Sequence, residues 1–470
     1  MSDGTMHSSE IRPVPRDGYL PLSSSQERLW FVLQLHPGIR AYQFQAEIKL
    51  VGALDADALA AVLTEVVRRH EIYRTTFTDG PEGPAQVVHP PFQVPLPVED
   101  LRDAPDPDAA AEEAIREAIA ENIPVGRLPL VHWRLLRVAS DRHILLHLEH
   151  HLIHDGWAFN VFVEELCALY EAYASDRVSP LPEPELQFAD FAAWQRTWLA
   201  GPDAEKQLAY WTRQLSGVPY FLDLPTDRPR TAARRFVGDA PRFTVPAHLA
   251  DQVRALARSE RVSLFTVMLA AFEVLLHGWS GMNDFCVASG IAGRSRPETE
   301  RLLGMVVNTV ALRADLRGDP DFGELLDRVR TTTLGALQHQ DIPFDHVVAA
   351  LRPPRIPGRQ ALCEVLFAFH DAPLGTVRMP GLKAEVTPGV TNGSAKFDLS
   401  VIAIPRAEQA IGHGGAQESG DIEFIWEYDQ DLFDAETIER VAGQYERLLT
   451  AVTVNPRALV SALNERQGLR

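Results

Sequence analysis

At 470 residues, with 46% hydrophobic and 23% charged side chains, the chain has the composition of a globular protein. It is too long for one core, so two lobes of roughly 150 to 250 residues each are expected. The formal charge of −19 repels phosphate backbones and anionic lipid, which excludes a nucleic-acid binder. No apolar run reaches the roughly 18 residues needed to span a bilayer and the N-terminus has no secretory pattern, so no membrane partner and a cytoplasmic location are expected.

The first 18 residues are polar, lack apolar period and read as a flexible tail. Ser24 with Glu27 makes a capping box, and a helix follows through Leu35. A strand about Phe44 to Leu50 precedes a helix over Asp55 to His70, whose Leu59, Val62, Leu63, Val66 and Val67 share one face; Tyr73 to Thr78 reads as a strand. The Ala-rich stretch Asp108 to Glu121 is helical, Val131 to Val138 and His143 to Glu149 are strands around an Asp141-Arg142 turn, and Phe159 to Tyr173 is a further helix. Prolines 180, 182 and 184 break the pattern; two short helices and an extended connector around Leu222 to Thr231 follow. The division expected is a tail to residue 18, a first lobe over 19–180, a helical segment and connector over 181–238, and a second lobe over 239–470. In that lobe strands are placed at Arg242 to Thr244 and Asp284 to Ala288, helices at Ala247 to Glu260 and Ser263 to His277, and a final helix capped by Asp434 through Val452. Alternation of helix and strand makes the fold class α/β. Cys167, Cys286 and Cys363 are widely spaced within apolar runs and read as reduced core thiols.

One segment carries chemistry. In Leu145 to Trp157 an apolar strand runs into His150-His151 and then Asp155-Gly156, where a helix begins. Side chains alternate along a strand, so the two histidines point to opposite sides and only one faces a reacting group. Imidazole suits the task of deprotonating an amine or alcohol as it attacks a carbonyl. Asp155 can accept an arginine pair and fix the loop, while Gly156 leaves room for backbone and substrate to approach. The tract His143, His147, His150, His151 and His154 also raises a metal site or a purely structural role. No His-Glu-x-x-His frame and no second ligand cluster accompany it, so neither a metal nor a bound cofactor is expected.

The surrounding strings, in order, resemble the condensation domains of nonribosomal peptide synthetases. They are Leu22 to Phe31, Arg69 to Phe77, His150 to Trp157, Phe188 to Trp194, Tyr210-Trp211 with Gln214-Leu215, Gly304 to Thr309 with Arg313, His339 to Asp345, Lys396 to Leu399, and Glu427-Tyr428 with Asp431 to Phe433. One stretch departs: Arg355 to Cys363 keeps the two arginines of the family's last core motif but lacks its acidic residue, serine and proline. The resemblance implies an α+β sandwich architecture of two chloramphenicol-acetyltransferase-like lobes in a V-shaped pseudo-dimer, with a tunnel between them and His151 at its middle. It implies His151 as catalytic residue, His150 as its packed neighbour, and Asp155 and Gly156 as structural. Arg294 is the expected partner of Asp155 and Arg74 a second candidate; Asn308 would lie in the loop flooring the tunnel, and Trp157 would line the acceptor side.

The function so implied joins an acyl or aminoacyl thioester, carried on the phosphopantetheine arm of an acyl-loaded peptidyl carrier protein, to an amine or alcohol. The acceptor is a small molecule or is itself carrier-bound, and the product is an amide or ester. With no adenylation or carrier domain in these 470 residues, a free-standing enzyme is expected. Arginines 228, 230, 234 and 235, or 352, 355 and 359, are candidate docking charges for an acidic carrier, with solvated surface arginine the plainer reading. The competing readings are a CoA- or carrier-dependent acyltransferase sharing the His-x-x-x-Asp centre, a lipid-directed member of the same wider superfamily, an epimerase-like relative, and a non-catalytic carrier-recruiting module. The Asp-Phe-Gly-Trp-Gly segment of the plant-type acyltransferases is missing, and the last reading sits poorly with intact His151 and Gly156.

Overall fold

Apolar spacing of three and four over Asp55 to His70 becomes the helix Ala56–Arg69. Asp55 caps it by accepting the Ala58 amide at 2.9 Å, and Leu59, Val62, Leu63, Val66 and Val67 are all buried. The helix Gly156–Tyr173 packs beside it, and its Phe159, Phe162, Leu166 and Leu169 join the same core. Both helices serve a six-stranded sheet in the order Arg378–Met379, Leu382–Pro388, Gln43–Gly52, Arg142–His150, Val131–Arg137 and Val98–Asp100. Only the last pair is parallel. The central strand Arg142–His150 is buried on both faces from Leu145 onward, which fixes its register: a one-residue slip would exchange every side chain between faces.

The computed structural model describes residues 10–370, 378–388, 391–409, 420–466 and 468. The chain forms two compact units: unit 1 is Met1–Asp203, Ala292–Val307 and Leu374–Asn392, and unit 2 is Ala204–Ile291, Asn308–Pro373 and Gly393–Arg470. In unit 2 a seven-stranded mixed sheet runs Asn308–Asp315, Asp284–Ile291, Val365–Phe369, Leu399–Pro405, Ile422–Asp429 and Gly238–Asp239, with Arg242–Val245 also paired to Ile422–Asp429. The helix Leu264–Ser280 is apolar on almost every side and is buried from Thr266 to Gly278, because helices Ala247–Glu260, Phe322–Gln338, Ala435–Val454 and Val460–Arg466 pack against it. Among the described residues no single helix is long and apolar enough to cross a membrane. The α/β class expected from the sequence is the one found.

Several expectations need correction. Residues 1–9 lie outside the described set, but residues 10–18 are not a loose tail: Ile11 is buried, the Val14 amide donates to Asp190 (2.7 Å), and Arg16 pairs with Asp190 and Glu71. The first helix is capped by Ser23 with Gln26, one residue earlier than read. Tyr73 belongs to a 3-10 turn, Glu71–Arg74, and the strand is Thr75–Gly80. The helix capped at Asp434 is not the last, since Val460–Arg466 follows. The linear lobe division also differs from the one that packing makes. The segment 181–238 is split, with helix Phe188–Leu199 in unit 1 and nearly all of Pro202–Gln214 in unit 2. Residues 292–307 and 378–388, read as second lobe, pack in unit 1 because Arg294 pairs with Asp155 and strand Leu382–Pro388 joins Gln43–Gly52. Most of the arginines read as docking charges are already neutralised within unit 2. Arg228 pairs with Asp434, Arg230 with Asp398 (2.6 Å), Arg234 with Asp429 (3.1 Å), Arg235 with Asp431 and Arg359 with Glu364 (2.6 Å).

Candidate active site

The site grows from the end of the central strand. Alternation puts His147 and Glu149 on one face and Leu146, Leu148 and His150 on the other. His150, paired with Gln43 in the sheet, is buried; its amide donates to the Leu130 carbonyl (3.0 Å) and its Nδ1 accepts the Leu152 amide (3.1 Å). Its ring thereby caps the turn that follows.

At His151 the chain leaves the strand for a 3-10 turn, His151–Ile153. The His151 amide donates to the Tyr42 carbonyl at 2.8 Å, and the ring is half-buried, edge-on to Tyr42 with centroids 6.4 Å apart. Its Nδ1 lies 3.0 Å from the main-chain carbonyl oxygen of His154. A carbonyl oxygen only accepts, so Nδ1 carries a proton, and in the neutral ring Nε2 holds the lone pair. The turn itself is held from the first helix, where the buried Gln26 Nε2 donates to the Leu152 carbonyl at 2.8 Å.

Asp155 is the N-cap of Gly156–Tyr173, accepting the Ala158 amide at 2.7 Å. Its other acceptor sites are filled as well. Oδ2 accepts the amides of Val306 (2.8 Å) and Val307 (3.0 Å), and Arg294 Nη2 reaches Oδ1 at 3.0 Å and Oδ2 at 3.2 Å. Both side chains are 2% exposed, and Arg294 Nη1 donates on to the carbonyls of Leu302 (2.7 Å) and Thr299. A carboxylate so saturated has no oxygen left to act on a substrate and serves as an anchor. Gly156 is exposed, and a Cβ placed on it meets no protein atom within 4 Å, so packing does not demand a glycine there.

Trp157 is half-buried; its Nε1 donates to the Glu300 carbonyl at 2.7 Å and its ring lies under the Arg294 guanidinium at 6.0 Å. Two further expected site residues make other contacts. Arg74 is not a partner of Asp155: it donates to the His89 carbonyl (2.5 Å) and sits 3.8 Å from Glu71. Asn308 belongs to unit 2 and has spent its amide on the backbone, donating to the Gln340 and Ile342 carbonyls and accepting from the Thr309 and Phe344 amides. It is a loop brace with no donor or acceptor to spare.

Behind His151 lies a group that motif reading passed over. Glu149 is 1% exposed, His147 Nε2 is 2.9 Å from its Oε1, and His154 Nδ1 contacts the same oxygen. Burial alone would raise the Glu149 pKa, but the two imidazoles hold it below the usual carboxylate range. The Trp133 indole N–H donates to His147 Nδ1 at 2.8 Å, so that nitrogen is an acceptor and the His147 proton sits on Nε2, facing Glu149. Among the described residues no set of three or more His, Cys, Asp or Glu side chains is arranged to hold a metal ion. The signal for Glu149 was present in the sequence: the i, i+2 spacing from His147 on a strand puts both on one face.

An α/β chain whose His-His-x-x-x-Asp-Gly loop is anchored by a buried aspartate–arginine pair is of the condensation class. The chain belongs to the Condensation domain family, whose signature matches residues 16–466. It is 39% identical to a linear gramicidin synthase protein of Brevibacillus parabrevis over 97% of this chain and 6% of that protein. It is 38% identical to the chondramide synthase cmdD of Chondromyces crocatus over 98% of this chain and 12% of the relative, so it spans only a small part of either. Among solved structures it is similar to the X-domain in the complex of the X-domain and OxyB from teicoplanin biosynthesis. That match has a TM-score of 0.82 and 25% identity, covering 97% of each chain. The first condensation domain of the calcium-dependent antibiotic synthetase, in complex with a substrate analogue, shares the fold: TM-score 0.79, 20% identity, covering 95% of this chain and 99% of that one.

Proposed function

We propose that this chain joins an acyl or aminoacyl thioester, delivered on the phosphopantetheine arm of a carrier protein, to an amine or alcohol, with His151 as general base. The observation that carries the reading is the hydrogen bond from His151 Nδ1 to the His154 carbonyl, which in the neutral imidazole puts the lone pair on Nε2 of a half-buried ring. As the nucleophile attacks the thioester carbon, Nε2 takes its proton. The tetrahedral intermediate then collapses, expelling the carrier's thiolate, which takes that proton from the imidazolium and leaves as the thiol. Such a base contributes about 10²- to 10⁴-fold, and holding the two reactants in attack geometry supplies much of the rest. Asp155, with Arg294, keeps the loop in place and takes no part in the proton transfer. Space at Gly156 and the ring of Trp157 suit an approaching substrate.

The test is to incubate the protein with an acylated carrier and a panel of amines and alcohols and to identify the products by mass. Turnover should fall at least 100-fold in His151→Ala with its melting temperature unchanged; near-normal turnover in that variant sinks the assignment. A second reading, a module that recruits a partner protein without condensing anything, is favoured by the likeness to the X-domain solved with OxyB. It predicts no product with any donor and acceptor pair and no effect of His151→Ala on partner binding.

A further inference from the structure

Reading His151 as the base leaves one question about the loop: what holds the His154 carbonyl where it takes the His151 Nδ1 proton? The answer rests on that reading and lies in the buried group behind it. The His154 ring stacks on Phe44, with centroids 4.0 Å apart and planes 18° apart, and its Nδ1 contacts Glu149 Oε1. The His154 amide donates back to the His151 carbonyl at 3.3 Å, closing the turn. Glu149 is fixed in turn by the sheet, where it faces Phe44 and Val131 across the two neighbouring strands, and by His147, itself tied to Trp133. A rigid path therefore runs from the sheet through Glu149 and the His154 ring to the one carbonyl that sets the His151 tautomer.

We propose that the buried Glu149–His154 pair is a positioning device for His151, holding the His154 carbonyl on Nδ1 so that Nε2 remains the basic nitrogen. Neither residue touches the substrate; each acts through the carbonyl. If the carbonyl moves away, the neutral imidazole is free to carry its proton on Nε2 instead, and a ring in that form cannot accept a proton from the nucleophile. The alternative is that Glu149 and His154 merely fill the core, in which case replacing them changes stability and leaves the tautomer alone.

The experiment uses the whole chain with histidine labelled by ¹⁵N in the ring, the His151 signals being assigned by their loss in His151→Ala. The variants are His154→Phe, which keeps the stack on Phe44 but removes the contact to Glu149, and Glu149→Gln, which keeps the shape and removes the charge. In the unaltered protein the His151 spectrum should be that of the Nδ1–H form. In His154→Phe it should shift toward Nε2–H, with kcat down about 10- to 100-fold and KM within about 2-fold, by analogy with loss of the outer partner that orients a metal-bound histidine. Glu149→Gln should move the same two readouts in the same direction by less, and the double variant should be no worse than His154→Phe, because both act through one carbonyl. A His151 that stays Nδ1–H with unchanged kcat in both single variants overturns the proposal. Should His154→Phe fail to fold, Glu149→Gln decides by the same readouts. The two readings fail separately: if His151 is not the base, His151→Ala keeps turnover while the tautomer still follows Glu149 and His154.

Discussion

Removing the Asp155 carboxylate should unfold unit 1 long before it touches the chemistry. In Asp155→Ala four consequences coincide: Arg294 is left as a buried charge, the Val306 and Val307 amides lose their acceptor, and the helix Gly156–Tyr173 loses its N-cap. Breaking a buried ion pair from one side costs about 3–5 kcal/mol, and losing an N-cap about 1 kcal/mol. The four effects overlap, so about 5 kcal/mol is expected in sum. For a unit of this size each kcal/mol lowers Tm by roughly 2–4 °C, giving a fall of roughly 10–20 °C in a thermal melt followed by circular dichroism. Asp155→Ala combined with Arg294→Met removes the stranded charge together with its partner, and should melt no lower than Asp155→Ala alone. The reasoning is refuted by an Asp155→Ala protein that melts within about 3 °C of the parent; if that protein were also inactive, Asp155 would have a direct chemical role.

Arg294→Lys keeps the charge but loses the fork that reaches both Asp155 oxygens and two carbonyls, and should cost about 2–3 kcal/mol in denaturant unfolding; a loss under 1 kcal/mol would mean that charge alone suffices. Gly304, at φ +141°, lies against Phe188, and an added Cβ would sit 2.0 Å from its ring, so Gly304→Ala should destabilise by about 3 kcal/mol, whereas Gly156→Ala, with open space around it, should leave stability unchanged and report only on substrate access. Glu273 is buried in the helix Leu264–Ser280; burial, helped by Asp315, pushes its pKa up to about 8. The folded state thus binds its proton more tightly than the unfolded one, and stability drains away as pH rises from the usual carboxylate range to about 8. Glu273→Gln should raise Tm relative to the parent more at pH 8 than at pH 5; an equal difference at both values would show that Glu273 does not titrate between them.

How far the site could be read in advance depended on whether its parts are local or distant in the chain. The place of His150 at the end of a buried strand follows from the apolar run before it, and the Asp155 cap from its place before an apolar helix; both need only neighbours in sequence. Arg294 lies 139 residues from Asp155, and no periodicity links them, so that pairing was reachable only through family resemblance. The same route gave Asn308 a place at the substrate, although its amide is used up in bracing its own loop. It also offered Arg74, which the fold turns toward His89. Motif strings record which residues recur, not which of their atoms remain unpaired, and that distinction is made by contacts that only the fold assembles. Glu149 shows the converse. It stands in a slot outside the motif, yet a carboxylate on the same strand face as His147 and just before two histidines was open to physical reading. A buried acid needs donors, and the nearest available were imidazoles. The structure answers that need with a carboxylate held between two imidazoles, one locked by Trp133 and the other carrying the carbonyl that orients His151.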